Sequence, residues 1–248
     1  MTQDEPKLEE QALSKAAELG LASQLDQAEK LDVNVRTDLL KVIQGQVDSI
    51  AVAGQGLVVQ QDIRVQELEL YIDKAGINPL SALFGQFELN QPTDAAARLV
   101  LTEQDINHAL NSEYMRSKMQ NIELNVEGKQ AVIEPLHMEL HLPTDGKMVF
   151  NAKTLLHNEI GQTKQIGFTA TMLVQRDKQP LLMEGFSCTP EQGVSLELAI
   201  AFIKRLRELL NLPYYELEGY SFQVKDVEVQ KGSLILLANA HIKQISSP

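Results

Sequence analysis

Hydrophobic positions along the chain change period several times, and each change marks an element. The broadest signal is Ser195–Leu212, SLELAIAFIKRLRELLNL. Set at about 100° per residue, Leu196, Leu198, Ala199, Ile200, Phe202, Ile203, Leu206, Leu209 and Leu210 share one face. That face covers roughly 200° of arc, against the ~100° stripe of a surface helix. Lys204, Arg205, Glu208 and Asn211 stand opposite. Each buried Leu, Ile or Phe contributes about 1.5–3 kcal/mol, so the pattern predicts a helix that other elements must wrap. Two further helices are predicted, over Lys7–Lys30 and from Thr102 to Gln120. Thr102 is placed to cap the second, with Glu103 and Asp105 opposing the helix dipole in its first turn.

Most of the remainder alternates with period two, the mark of half-buried strands. Leu31, Val33 and Val35 point one way, and a helical turn at Leu39–Ile43 separates them from a strand carrying Val47, Ile50 and Val52. Gly54-Gln-Gly56 reads as a hairpin rather than a dinucleotide-binding loop, because strand-like Leu57-Val58-Val59 follows it and no third glycine stands at the required spacing. Between Val65 and Leu68 the alternation slips by one residue near Gln66–Glu67, which predicts a β-bulge and a bent sheet. Pro79 opens a short apolar helix, PLSALFG, and Ala95, Ala97, Leu99 and Leu101 resume the alternation. Later strands carry Leu136, Met138, Leu140 and Leu142, then Ile166, Phe168, Ala170, Met172 and Val174, with Leu181–Ser187 pairing back on the last set. GKMVFNA (146–152) and GSLILLA (232–238) echo one another, each with a turn glycine and an alanine six residues on. The expected fold class is α+β: a long curved antiparallel sheet around a long amphipathic helix. A disordered tail over 1–6 and one domain over 7–248 are expected.

Charge narrows the partners. With 22 basic and 34 acidic residues the net charge is −12, which disfavours nucleic acid, whose binding relies on neutralising phosphates. Neutral lipids stay open. The single Cys188 leaves no internal disulfide. The acidic opening residues lack a signal-peptide core, so the expected location is the cytoplasm, with peripheral contact at a membrane surface.

Chemistry is sparse. His137, Glu139 and His141 share one strand face, but about 13 Å separates the two histidines at ~3.3 Å per residue, too far to share one ion. They read as a solvated face. No GxSxG elbow, phosphate loop, HExxH or CxxC occurs, and Cys188 reads as a small buried filler. The chain is therefore expected to be no enzyme and to need no cofactor or metal. Lys204 and Arg205 read as a solvated helix face or a contact for lipid headgroups. Leu80, Leu83 and Phe84 are either a cap over a sheet end or a membrane-touching gate.

The run from LDVNVRTDLLKVIQGQVDSIAVAGQGLVVQQDIRVQELEL through INPLSALFG to VLTEQDINHALNSEYMRSKM resembles the LmeA-like phospholipid-binding family. The resemblance rests on Asp38-Leu39-Leu40 to Gly45, Gly54–Gly56, Ile77–Gly85 and Thr102–Asn107, and the two later glycine hairpins extend it over Leu31–Ile242. It implies a TULIP-like fold, a bent sheet rolled around a helix with lipid between them. Exported members carry a signal or lipobox that this sequence lacks, so an envelope role is not carried over. Leu198, Phe202, Leu206 and Leu209, facing Phe168 and Met172, are the expected lipid lining. The competing expectation is an interaction module whose interior is filled by side chains and whose exposed helix forms a homodimer.

Overall fold

A computed structural model describes residues 8–59, 63–83, 86–119, 122–126, 129–158, 163–174, 182–188, 204, 215–217 and 220–242. Predominantly antiparallel sheets with a few helices give the α+β class. Two compact units are present: Met1–Val100 with Tyr214–Asp226 and Leu236–Pro248, and Leu101–Pro213 with Val227–Ile235. Seven strands form one sheet in the order β1 (Lys30–Arg36), β2 (Gln46–Val59), β3 (Ile63–Gly76), β4 (Thr93–Thr102), β12 (Ser233–Ile242), β11 (Tyr220–Gln230) and β10 (Tyr215–Leu217). Five form the other: β5 (Ile122–Val126), β6 (Lys129–Thr144), β7 (Lys147–Asn158), β8 (Thr163–Leu173) and β9 (Leu182–Cys188).

In the first unit, α1 (Leu8–Ala22) lies beside β1, and Leu13 and Ala17 join Val33, Val35, Ile50 and Ile72 in the core. This helix ends well short of Lys30, after which the chain makes a separate bridge at Gln27 and enters β1. The inward set Val33 and Val35, the short α2 (Leu39–Ile43) and α3 (Pro79–Leu83) match the sequence pattern.

The hairpin expected at Gly54–Gly56 does not form. β2 continues through both glycines and stays in register with β3, Gly54 opposite Leu68 and Leu57 opposite Val65. A Cβ at Gly56 would collide with Glu29, and one at Gly54 with Leu57. Close approach of Leu57 accounts for Gly54, and a left-handed φ of 57° within the strand accounts for Gly56. The slip near Gln66–Glu67 is likewise no one-sided bulge. The buried positions of β2 change phase at the same rung, from Ile50 and Val52 to Leu57, so both strands turn together and the register survives.

True bulges lie in the second unit. Leu136 is an extra residue between the Pro135 and His137 rungs of β6, so it is extruded and exposed instead of sharing the face of Met138, Leu140 and Leu142. Pro135 cannot donate to a ladder, which suits the break to this position. β8 follows the sequence pattern, with Ile166, Phe168, Ala170 and Met172 buried and the intervening residues outward.

The helix predicted from Thr102 is two helices, α4 (Glu103–Leu110) and α5 (Glu113–Lys118). Thr102 caps α4 by accepting from Asp105 N at 3.1 Å, as its type and position require. Ser112 then caps α5 by accepting from Met115 N at 3.2 Å. Between them, Asn111 caps the end of α4 and also reaches the strand β6. Its amide donates to Met138 O at 2.7 Å, and its carbonyl oxygen accepts from Met138 N at 3.2 Å. Asn107 does the same for Leu140, at 2.8 Å and 2.7 Å. Glu103 Oε2 accepts from Leu142 N at 2.6 Å. Four helical residues rise about 6.0 Å and two strand residues about 6.6 Å, so side chains at 103, 107 and 111 match every second residue of β6 and stand where a further strand would pair.

The two echoed hairpins meet at this point. Gly146 and Gly232 adopt left-handed φ of 72° and 79° in two-residue turns, the geometry that favours glycine. Gly146 N donates to Val229 O and Gly232 N to Leu142 O, each at 2.9 Å, and Glu103 N donates to Gly232 O at 2.9 Å.

Asn107→Ala leaves a donor and an acceptor of Leu140 without partners, at about 1–3 kcal/mol. Urea unfolding is expected to show that loss, and a loss below about 0.5 kcal/mol would mean that water replaces the amide freely.

Candidate functional site

The apolar face of the five-stranded sheet is built rung by rung. One rung carries Met138, Ala152 and Phe168, the next Leu140, Phe150, Ala170 and Phe186, and a third Met148, Met172 and Met183. Direct partners across a strand pair point to the same side, so all of these share a face. Small residues alternate with large ones: fully buried Ala170 separates Phe150 from Phe186. Phe168 reaches diagonally to both rings, stacked on Phe186 at 5.4 Å and tilted against Phe150 at 6.1 Å. Three of the seven phenylalanines are gathered here, with Leu110 and Met119 packed alongside. Such ring pairs add about 0.5–1.5 kcal/mol beyond area burial, whereas the methionine rung has three flexible thioether side chains that adapt to irregular neighbours.

Phe168 and Met172 are therefore brought together on one buried apolar face, two rungs apart. Leu198, Phe202, Leu206, Leu209 and Arg205 lie outside the described residues, as does the rest of the predicted last helix except Lys204, which is helical and exposed. Phe84 and the side chains of Leu83 and Cys188 also lie outside them. Leu80 stands exposed on α3. Phe150 and Phe186 escaped the sequence reading; the alternation of Met148, Phe150 and Ala152 places the first, and the pairing of Ala170 with Phe186 the second. The exposed Leu39, Leu40 and Ile43 of α2 escaped it too. A five-residue turn with four apolar residues cannot hide them all, and that was the available signal.

A hollow of about 600 Å³ opens at the paired hairpin tips, lined by Asp145, Gly146, Val174 and Val227–Lys231. Its walls mix valines with charged and amide groups, so it does not resemble an acyl-chain groove.

Polar groups cluster on the opposite face of β6. His137 Nε2 lies 3.0 Å from Glu139 Oε1, and His141 Nε2 lies 3.6 Å from Glu139 Oε2. His141 Nδ1 reaches Glu103 Oε1 at 3.3 Å. All four side chains are partly open to solvent, as the alternation predicts. Among the described residues no group of three or more His, Cys, Asp or Glu could hold a metal ion, and no helix is long and apolar enough to cross a membrane. The hydrogen bond from His137 holds the Glu139 carboxyl below its usual 4.5, with the charges of His137 and His141 adding to it. A depressed carboxylate stabilises the fold above the unfolded value, and this is lost as pH falls through the folded one.

A model of the family described as LmeA-like phospholipid-binding matches residues 7–239 of the chain. No curated protein and no solved structure matches it.

Glu139→Gln removes the titrating group. The stability advantage of the wild type over this variant, read from urea midpoints, is expected to hold at about pH 6 and to vanish between about pH 5 and pH 3. An advantage that persists undiminished at the acid end contradicts the pairing.

Proposed function

The chain belongs to the LmeA-like phospholipid-binding family, and from that membership we propose that it binds a phospholipid or glycolipid without catalysing a reaction on it. The acyl chains are held in an aliphatic groove between the Ser195–Leu212 helix and the bent sheet, and the headgroup stays near water. Phe168 and Met172 line this groove from the sheet side, and Leu198, Phe202, Leu206 and Leu209 line it from the helix. Such a sleeve suits carriage between membranes with transient contact at each surface. The lone Cys188 fits a reducing compartment, the cytoplasm.

The family match over nearly the whole chain carries this reading. Two features support it. The excess apolar arc of Ser195–Leu212 exceeds what one sheet face needs. The methionine rung of β7, β8 and β9 supplies a deformable apolar wall of the kind that accommodates variable ligands.

A second reading has its own observation. Phe168, Ala170 and Met172 are buried and the three phenyl rings touch, as in an interior filled by its own side chains. The protein is then an interaction module, free to form a homodimer.

Native mass spectrometry of the chain purified from a lipid-containing host separates the two. Lipid binding predicts adducts of phospholipid mass and saturable capture of a fluorescent phospholipid. Phe168→Ala is expected to cost about 3–5 kcal/mol in either case, but only a lipid-holding interior loses adduct occupancy with it. A clean apo mass together with no fluorescence gain overturns the lipid reading.

A further inference from the structure

The first unit ends in two short helices that turn their apolar side chains the wrong way. Of the five residues of α2, only Val42 is buried. Leu39, Leu40 and Ile43 are 53%, 72% and 59% exposed, and Leu80 on neighbouring α3 is 67% exposed. The two helices are joined: Ile77 N donates to Gly45 O at 2.9 Å, and Pro79 lies against Gly45. Polar side chains nearby are spent on the backbone and on one another. Asp38 accepts from Lys41 N at 3.0 Å, and Asn78 accepts from Leu80 N at 3.1 Å. Glu88 accepts from Asn78 Nδ2 at 2.9 Å and from Ser81 Oγ at 2.8 Å. The aliphatic groups are thus presented by a braced scaffold, and water is a poor solvent for four large side chains on adjoining turns.

We propose that α2 and α3 form a bilayer-contact tip, which inserts Leu39, Leu40, Ile43 and Leu80 at the surface of a zwitterionic phospholipid membrane. The inference rests on the reading of the chain as a phospholipid binder and names where it meets its source. Charge complementarity selects the surface. Two carboxylates hold the ammonium of Lys41 on α2, Asp48 at 2.6 Å and 2.8 Å and Asp38 at 3.5 Å, and a third, Glu88, is bonded to Ser81 of α3. An acidic rim of this kind faces the outward ammonium groups of phosphatidylcholine favourably and is repelled by anionic lipid. Insertion by purely aliphatic side chains needs no matching pocket, only hydrocarbon.

Flotation of the full chain with phosphatidylcholine vesicles tests the tip. The wild type is expected to co-float, less strongly once phosphatidylserine is mixed in. The double variant Leu40→Asp/Leu80→Asp is expected to bind at least about tenfold more weakly, and Leu39→Ser/Ile43→Ser gives an independent check with milder side chains. Leu19→Asp, equally exposed but on α1, is expected to float as the wild type does. Circular dichroism confirms that each variant is folded. Capture of a short-chain fluorescent phospholipid, supplied as monomers without vesicles, reports lipid holding separately. Retained capture with lost flotation in the tip variants supports the tip. Lost capture with retained flotation in the wild type defeats the lipid-holding reading and leaves the tip standing. A wild type that does not float, tip variants that float unchanged, or binding that strengthens with anionic lipid overturns the tip. So does light scattering that shows α2 and α3 pairing two copies of the chain.

Discussion

Backbone groups on an unpaired strand edge must find partners or remain a template for another chain, and this structure meets that demand with helix side chains. Along β6, Glu103, Asn107 and Asn111 of the α4 region bond Leu142, Leu140 and Met138 in turn. Along β1, the terminal strand of the seven-stranded order, Glu10 of α1 accepts from Thr37 N at 3.0 Å and Ser14 from Val35 N at 2.9 Å. In both units the helix ascends while the strand descends, and a glutamate opens the series. Edges served in this way are closed to intermolecular pairing, and each bond satisfies a group that would be costly to leave unmade.

The same glutamate ties the second unit together. Glu103 accepts from Leu142 N, Leu142 O accepts from Gly232 N, and Gly232 O accepts from Glu103 N. This closed ring of three bonds joins the start of α4, the end of β6 and the tip of the β11–β12 hairpin. The Asp145–Gly146 turn is locked to the same hairpin, because Asp145 Oδ1 accepts from Lys231 N at 3.0 Å while Gly146 N reaches Val229 O. The echo between the two glycine segments is therefore not an accident of composition. Each turn needs left-handed backbone because it is a two-residue hairpin connection, and the two then bond one another.

This framework leaves apolar side chains unconsumed in two places. On the five-stranded sheet, a rigid phenyl trio adjoins a pliable methionine rung on one face. On the first unit, α2 and α3 hold four aliphatic side chains outward. The one places hydrocarbon inside the protein, the other on its surface, and the proposed lipid binding would use both. The histidines and carboxylates on the opposite face of β6 form a partly solvated polar cluster.

Local sequence signals determined the α+β class, the inward faces of β1 and β8, the capping role of Thr102 and the existence of α2 and α3. These follow from local periodicity and cap chemistry, and such signals extend over only a few residues. Gly54 lies under the Leu57 side chain and Gly56 takes a left-handed φ inside a continuous strand pair, so a local turn signal misled. Leu136 was ejected by a bulge that depends on where β7 pairs, and the helix from Thr102 divided at Asn111, which bonds both its own turn and β6, before Ser112 caps a second helix. Contacts distant in the sequence settled these points, since strand pairing and side-chain bonds satisfy backbone groups that would otherwise be orphaned.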